Sequence, residues 1–187
     1  LWGGESQMNQ YVKMIVVLLV ISCASGAVLA LSYAVTNPKI QQQELQKLQE
    51  SVLKVIPGAT KMEEVQKDGI TVYIGLDDQG NKKGIAFPAS GSGFNGVIEL
   101  MVGYNPTEGK LTGVEVLSMS ETPGLGAKIT EESFTGQFNG KSVKDQFIVK
   151  QDVQAISGAT ISSTAVTKAI KASLDEIVKL YPVGGDF

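Results

Sequence analysis

A long apolar stretch without charged side chains dominates the N-terminal part of the chain. Residues 14–35 contain no Asp, Glu, Lys or Arg. As an α-helix rising about 1.5 Å per residue, this stretch would be roughly 33 Å long, enough to cross a hydrocarbon core of about 30 Å. The pattern predicts a transmembrane helix over residues 14–35, preceded by an N-terminal segment of residues 1–13.

A cleaved signal sequence is the alternative interpretation of this stretch. The tetrapeptide Val20-Ile21-Ser22-Cys23 is similar to a lipoprotein cleavage site, and signal sequences end in small residues. However, the apolar run continues for twelve residues beyond Cys23, so its full length is that of a membrane span. We therefore favour an uncleaved anchor.

Beyond the apolar stretch, the pattern changes to apolar positions at helical spacing. These positions are Ile40, Leu45, Leu48, Val52, Val55 and Ile56. Pro57 and Gly58 then end the pattern. It predicts a juxtamembrane stalk helix over residues 36–58, followed by one domain over residues 59–187.

Most of that domain alternates between apolar and polar residues in the manner of strands. The predicted strands are residues 70–75, 84–87, 97–104, 111–118 and 143–149. Turn-forming residues at 77–81 and 105–109 separate several of them. Because most neighbouring strands are too close in sequence for helical crossovers, we expect antiparallel pairing. The pattern predicts an α+β fold, with a mainly antiparallel twisted sheet flanked by helices.

A run of small and hydroxyl-bearing residues precedes a predicted C-terminal helix. The apolar face of that helix comprises Val166, Ile170, Leu174, Ile177 and Tyr181. The run, residues 157–162, lies where free backbone N–H groups and the helix dipole favour an anion such as phosphate. Gly158 and Ala159 allow close approach to the backbone, and Thr160 offers a hydroxyl. The alternative is that Ser157 and Thr160 only cap the helix.

A second motif, residues 121–126, follows the predicted strand 111–118. Its two glycines, its proline and its threonine predict an ordered loop with an exposed backbone. An ordinary turn would have the same composition.

The composition excludes several kinds of chemistry. The chain has no His, no Arg and a single Cys, Cys23, which excludes a His-based triad, a His-containing zinc site and an internal disulfide. We therefore predict no catalytic residue and no metal site. The net charge of −3 argues against nucleic acid as a partner. A bound phosphate would need amides, hydroxyls and Lys, without the bidentate Arg fork, and any redox chemistry would need a cofactor.

Together, the two motifs resemble those of the RnfG/NqrC FMN-binding domain family, in the same order along the chain. The resemblance covers roughly residues 12–181. In that family the FMN phosphate is esterified to the Thr that closes Ser-Gly-Ala-Thr, which is Thr160 here. The resemblance therefore implies covalent FMN on Thr160. The implied cofactor-binding residues are Thr160, Ser157, Gly158, Ala159 and Ser162, with Glu121, Thr122, Gly124, Leu125 and Gly126.

Two further features are candidates for the same site. Residues 91–96 are similar to a glycine- and aromatic-rich segment of the family, although a plain loop between strands has the same composition. Lys141 could pair with the phosphate, although surface Lys residues are usually only solvated.

The resemblance also implies a function. It indicates an electron-carrying subunit of a membrane-bound ferredoxin:NAD oxidoreductase that translocates Na⁺ or H⁺. The implied partners are the other subunits of the Rnf complex, a flavin transferase and the lipid bilayer. The implied location is the cytoplasmic membrane of a bacterium or archaeon, with one span and the large domain on the extracytoplasmic side.

Three alternatives remain open on the sequence. One is an NqrC-type subunit of a Na⁺-translocating NADH:quinone reductase. Another is a membrane-anchored extracytoplasmic binding module without a redox role. The third, a stand-alone flavoprotein oxidoreductase, would need acid–base residues, for which the sequence offers only carboxylates and Lys.

Overall fold

The computed structural model describes residues 4–185 and 187 of the chain. The chain divides into two compact units, Leu1–Lys47 and Leu48–Phe187. A single helix, α1 (Gly4–Val55), contains Pro38 and begins in the first unit and ends in the second.

The first unit presents its apolar side chains outward. Leu18, Leu29 and Leu31 are each more than half exposed, and the helix is long and apolar enough to cross a membrane. This confirms the prediction of an N-terminal apolar helix of spanning length. The division into a span of residues 14–35 and a stalk of residues 36–58 stays a prediction, because one helix covers both.

The second unit is built on a five-stranded antiparallel sheet in which each strand pairs with the next along the chain. The strands are β1 (Lys61–Lys67), β2 (Ile70–Leu76), β3 (Lys82–Ser92), β4 (Val97–Asn105) and β5 (Lys110–Ser118). Short helical segments follow: a 3₁₀ helix (Gly126–Thr130), α2 (Glu132–Thr135) and a 3₁₀ helix (Gly136–Phe138). The long helix α3 (Thr160–Leu180) comes last. The predicted α+β fold with antiparallel pairing is confirmed.

The predicted strand at residues 143–149 is wrong. Within this segment only Val149 forms an isolated bridge, to Val153. The Asp152 carboxylate accepts hydrogen bonds from the backbone N–H groups of Phe147, at 2.8 Å, and Ile148, at 2.5 Å. Phe147 and Lys150 have positive φ, which bends the chain away from an extended path. Phe147 is nevertheless buried, so the apolar alternation reflects an anchored loop.

Helix α3 covers one face of the sheet. Its buried stripe includes Val166, Ile170 and Leu174, which belong to the same core cluster as Phe87 and Val102 of the sheet. The helix also approaches β3 closely at Gly91, where a Cβ atom would lie 2.7 Å from the Ala165 carbonyl oxygen. The small residue is therefore needed for this packing.

The last turns of α1 cover the opposite face. Val52, Val55 and Ile56 form a second buried cluster with Ala86 and Met101. The helix end rests on paired glycines of β4 and β5, Gly103 and Gly113, where an added Cβ would meet the Val55 backbone. The Thr112 hydroxyl donates a 2.5 Å hydrogen bond to the Val55 carbonyl, one of the groups that a helix end leaves without an intrahelical donor.

We expect Gly103→Ala to destabilise the domain by about 1–3 kcal/mol, the usual effect of overpacking, because the new methyl group would overlap the Val55 carbonyl. The measurement is thermal and denaturant unfolding of the full chain in detergent. Gly136→Ala is the matched control: Gly136 has helical φ, and the nearest atom would be 3.8 Å from the new Cβ. Equal stability of the two variants would contradict the proposed packing.

Candidate functional site

A pocket of about 400 Å³ lies at one end of the sheet. Because the strands are antiparallel, this end of the sheet contains the end of β3, the start of β4 and the end of β5. Helix α3 begins there as well. The lining residues are Phe94, Glu121, Thr122, Leu125, Gly126, Gly158, Ala159, Thr160, Ile161 and Ser162. The two sequence motifs, far apart along the chain, therefore form one site.

The start of α3 carries no side-chain cap within the described residues. Ala159 occupies the N-cap position and makes no side-chain hydrogen bond there, and Thr160 is the first helical residue. The capping interpretation of Ser157 and Thr160 is therefore wrong. The first N–H groups of a helix have no intrahelical acceptor, and the helix dipole places positive charge beside them. This end of α3 lines the pocket together with the exposed Thr160.

A tight turn leads into the helix and needs Gly158. The Ala159 N–H donates to the Ile156 carbonyl at 3.0 Å, and Gly158 has a φ of +77°, a conformation that glycine adopts without strain. A Cβ at this position would also lie 3.1 Å from Leu125 Cδ2. The turn and the second motif are therefore in close contact.

Ser163, which the sequence interpretation missed, fixes this turn. Its hydroxyl accepts the Ile156 N–H at 3.1 Å and donates to the Ala159 carbonyl at 2.9 Å. It is fully buried. The available sequence signal was a hydroxyl residue in the first turn of the predicted helix, where it can bond back to the preceding loop.

The second motif is an ordered loop, as predicted. The N–H groups of Leu125 and Ala127 both donate to the Thr122 carbonyl, at 3.2 and 3.1 Å. Gly124 has a φ of +76° and supplies the turn, but it is outside the pocket lining. Leu125 remains 47% exposed and presents an apolar surface to the pocket.

The Glu121 carboxylate connects three walls of the pocket. It is only 6% exposed. One oxygen, Oε1, accepts the Asn95 N–H at 3.0 Å, and the other, Oε2, accepts the Ser162 hydroxyl of α3. A Cβ at Gly126 would lie 2.7 Å from Oε2, and one at Gly93 would overlap Oε1. Both glycines therefore leave the space that the carboxylate fills.

The third candidate segment, residues 91–96, also reaches the pocket. The Gly93 N–H donates to the Gly96 carbonyl at 2.8 Å, closing a turn between β3 and β4. The Asn95 amide donates to the Thr122 hydroxyl at 3.0 Å. Phe94, at the tip of this turn, is 66% exposed and lines the pocket.

The structure does not bring Lys141 or Ser157 into the lining. The Lys141 ammonium instead donates to the Asp152 carbonyl at 2.6 Å and lies 3.7 Å from Asp152 Oδ2. Burial of Asp152 opposes its ionisation, but the N–H groups of Ile148 and Phe147 and the charge of Lys141 outweigh this effect. Together they hold the pKa of the Asp152 carboxyl below its usual value.

The comparisons with known proteins agree with this geometry. Residues 93–175 match the family model described as FMN-binding domain, a range that contains all the pocket walls. Two solved structures share the fold. One is NqrC of Shewanella oneidensis, with a TM-score of 0.50 and 22% identity, covering 66% of this chain and 72% of that chain. The other is the C subunit of the Na⁺-translocating NADH-quinone reductase of Parabacteroides distasonis, with a TM-score of 0.52 and 23% identity, covering 64% of this chain and 73% of that chain. By this family match, residues 93–175 belong to an FMN-binding domain, and the shared fold is consistent with that assignment.

Relatives of similar length identify the family. The G subunit of the ion-translocating oxidoreductase complex of Methanosarcina acetivorans is 36% identical over 92% of this chain and 97% of its own length. The G subunit of the proton-translocating ferredoxin:NAD⁺ oxidoreductase complex of Clostridium ljungdahlii is 36% identical over 85% of this chain and 88% of its own length. Its counterpart in the Na⁺-translocating ferredoxin:NAD⁺ oxidoreductase complex of Acetobacterium woodii is 30% identical over 87% and 89%. The chain belongs to the family of G subunits of ion-translocating oxidoreductase complexes, which are multi-subunit membrane assemblies.

We expect Gly158→Ala to lower both the flavin-to-protein absorbance ratio and the thermal stability of the purified protein more than Gly140→Ala does. Both glycines have a φ of +77°, so both variants carry similar backbone strain, about 1 kcal/mol. Only at Gly158 does the new methyl group meet a neighbour, since Gly140 faces open space. Equal losses in the two variants would show that the contact with Leu125 is unimportant.

We expect Asp152→Asn to destabilise the domain at neutral pH by about 1.5–3 kcal/mol, the range for hydrogen bonds to a charged group. The folded-state pKa of Asp152 is lowered, so its stabilisation is complete above the unfolded value of about 3.9 and is lost as pH falls through the folded value. The difference in stability between the two proteins, measured by unfolding from pH 7 to pH 3, should therefore be constant above the unfolded value and decrease below it. A stability difference that stays the same at every pH would argue against a lowered pKa of Asp152 in the folded state.

Proposed function

We propose that the pocket holds FMN through a phosphoester bond to the Thr160 hydroxyl. We further propose that the chain relays electrons within a ferredoxin:NAD oxidoreductase that translocates Na⁺ or H⁺. The observation that carries the proposal is the position of Thr160, an exposed hydroxyl on the first residue of an uncapped helix that lines the pocket. The names of the Clostridium and Acetobacterium relatives, which differ in the translocated ion, support the reaction and leave the ion open.

The residues of the pocket fit a phosphate-linked flavin. The Thr160 hydroxyl would lose its proton as its oxygen forms a bond to the flavin phosphorus, while the P–O bond between that phosphorus and the leaving group of an activated flavin nucleotide breaks. A flavin transferase would supply the activated nucleotide and release the leaving group. Free N–H groups at the start of α3 would stabilise the phosphate charge. Gly158, which is exposed, keeps the backbone accessible, and Leu125 offers an apolar surface to the ring.

The lining also explains why a covalent bond is useful here. None of the described lining residues is cationic, and Glu121 is anionic. A phosphate would therefore rely on helix N–H groups and hydroxyls, without the Arg fork or a Lys charge that strengthens many phosphate sites. A phosphoester bond would retain the cofactor without that help.

The chemistry divides between cofactor and protein. Bound FMN supplies one- and two-electron redox chemistry. The chain binds and orients it through Thr160, Thr122 and Leu125, and the Glu121 carboxylate holds the walls in place through Asn95 and Ser162. Among the described lining residues, the acid–base side chain is Glu121, and both of its carboxylate oxygens are engaged by Asn95 and Ser162, which favours an electron carrier over a stand-alone oxidoreductase.

The membrane topology is part of the same proposal. Helix α1 anchors the chain, with residues 14–35 in the bilayer, residues 36–58 as the stalk and the FMN-binding domain on the extracytoplasmic side. Lys13 and Lys39 flank the apolar stretch at both ends, so the positive-inside rule does not decide the orientation, which rests on the family resemblance. The partners are the other subunits of the complex and the flavin transferase.

The test is in-gel fluorescence of the denatured protein, expressed together with its flavin transferase. We expect a flavin-fluorescent band for the wild type and none for Thr160→Ala. Thr164→Ala, one turn further along α3 and outside the pocket lining, is the matched control and should stay fluorescent. A dark wild-type band, or a bright Thr160→Ala band, would overturn the attachment at Thr160.

A further inference from the structure

We infer that the buried carboxylate of Glu121 lowers the reduction potential of the flavin held in this pocket. The inference rests on the proposed function, because it concerns the flavin linked to Thr160. It assigns Glu121 a role through its charge, in addition to its role in connecting the pocket walls.

The Glu121 side chain is an unusual group in this fold. Among the described residues, the buried polar side chains are Glu121, Ser162, Ser163 and Thr167, and Glu121 alone among them carries a charge. It is also part of the pocket lining. Its position is fixed, because each carboxylate oxygen accepts a hydrogen bond, from Asn95 or from Ser162. A fixed, buried charge acts more strongly on a neighbouring ligand than a mobile one in water.

The structure provides no cation beside this carboxylate within the described residues. The observed ion pairs are Lys54–Glu115, Lys83–Asp77, Lys141–Asp152 and Lys171–Asp175, and none includes Glu121. The other lining residues are neutral. The partial positive charge at the start of α3 lies nearby, but it amounts to only about half a unit charge.

The electrostatic consequence follows from the sign of the charge. Reduction adds electrons to the flavin, so a nearby negative charge raises the free energy of the reduced form relative to the oxidised form. The Glu121 carboxylate is itself only 6% exposed, which limits the screening of this interaction. The potential should therefore be lower than it would be with a neutral side chain at position 121.

The charge can be removed with little change of shape. A glutamine at this position could accept the Asn95 N–H through its oxygen and donate from its amide nitrogen to the Ser162 hydroxyl. Glu121→Gln therefore keeps the size and both hydrogen bonds of the side chain while removing the negative charge.

The experiment is a spectroscopic redox titration of the flavin-loaded full chain in detergent, with dithionite as the source of electrons and the buffer as the source of protons. We expect Glu121→Gln to raise the reduction potential of the flavin. The ratio of reduced to oxidised flavin at the wild-type midpoint should increase about tenfold, which corresponds to a shift in potential of about 30 mV for a two-electron couple. Glu108→Gln, in the exposed turn between β4 and β5, makes the same change in net charge outside the pocket and should leave the potential at the wild-type value. Glu121→Asp, which restores the charge, should return the potential towards that value.

A second pair of variants leaves the buried carboxylate in place. Ile161 is 56% exposed and lines the pocket, so Ile161→Lys adds a compensating cation and should also raise the potential, whereas the neutral Ile161→Met should not. If Glu121→Gln fails to fold, this pair decides the question. The inference would be overturned if flavin-fluorescent Glu121→Gln had the wild-type potential, or if Ile161→Lys had it where only that variant folds. Either result would leave the proposed function intact. A wild-type chain without bound flavin would overturn the proposed function itself.

Discussion

The close packing of helix α3 on strand β3 is the interaction on which the rest of the site depends. The buried stripe of α3 fixes the rotation of the helix about its axis, and the approach of Ala165 to Gly91 fixes its height above the sheet. Together, this rotation and this height place the first residue of the helix at the end of the sheet where β3 and β5 end. The walls contributed by the loops after these strands then meet the Thr160 end of α3 without further adjustment of the backbone.

Much of this arrangement could be predicted because it follows local periodicity. The apolar positions Val166, Ile170, Leu174, Ile177 and Tyr181 are all buried, and α3 begins within the run that was expected to precede it. Strands β2 to β5 were also anticipated, since their apolar residues alternate. Strand β1 was missed because Met62 and Val65 are its only apolar residues and both are partly exposed. Its place in the fold depends on pairing with β2, which is a tertiary effect.

The site itself was only partly accessible from the sequence. The glycines and hydroxyls of the two motifs pointed to backbone exposed near a helix start, and the structure brings both motifs to one pocket. The anchoring of the Glu121 carboxylate by Asn95 and Ser162 could not be foreseen, because it joins residues that are far apart along the chain. The same applies to Lys141: a lone Lys carries no sequence signal that tells a phosphate partner from the Asp152 partner it has here.

The exposed rim of the pocket determines how tightly the pocket alone could bind a cofactor. Phe94, Leu125 and Ile161 each remain about half exposed or more, so the walls cover only part of any ring placed between them. A shallow cleft of this kind gives a reversibly bound ligand a short residence time, and its occupancy would follow the surrounding concentration. With the proposed bond to Thr160, occupancy becomes independent of dilution, and the walls have only to orient the cofactor. The uncovered edge would then stay available for the electron exchange that we propose.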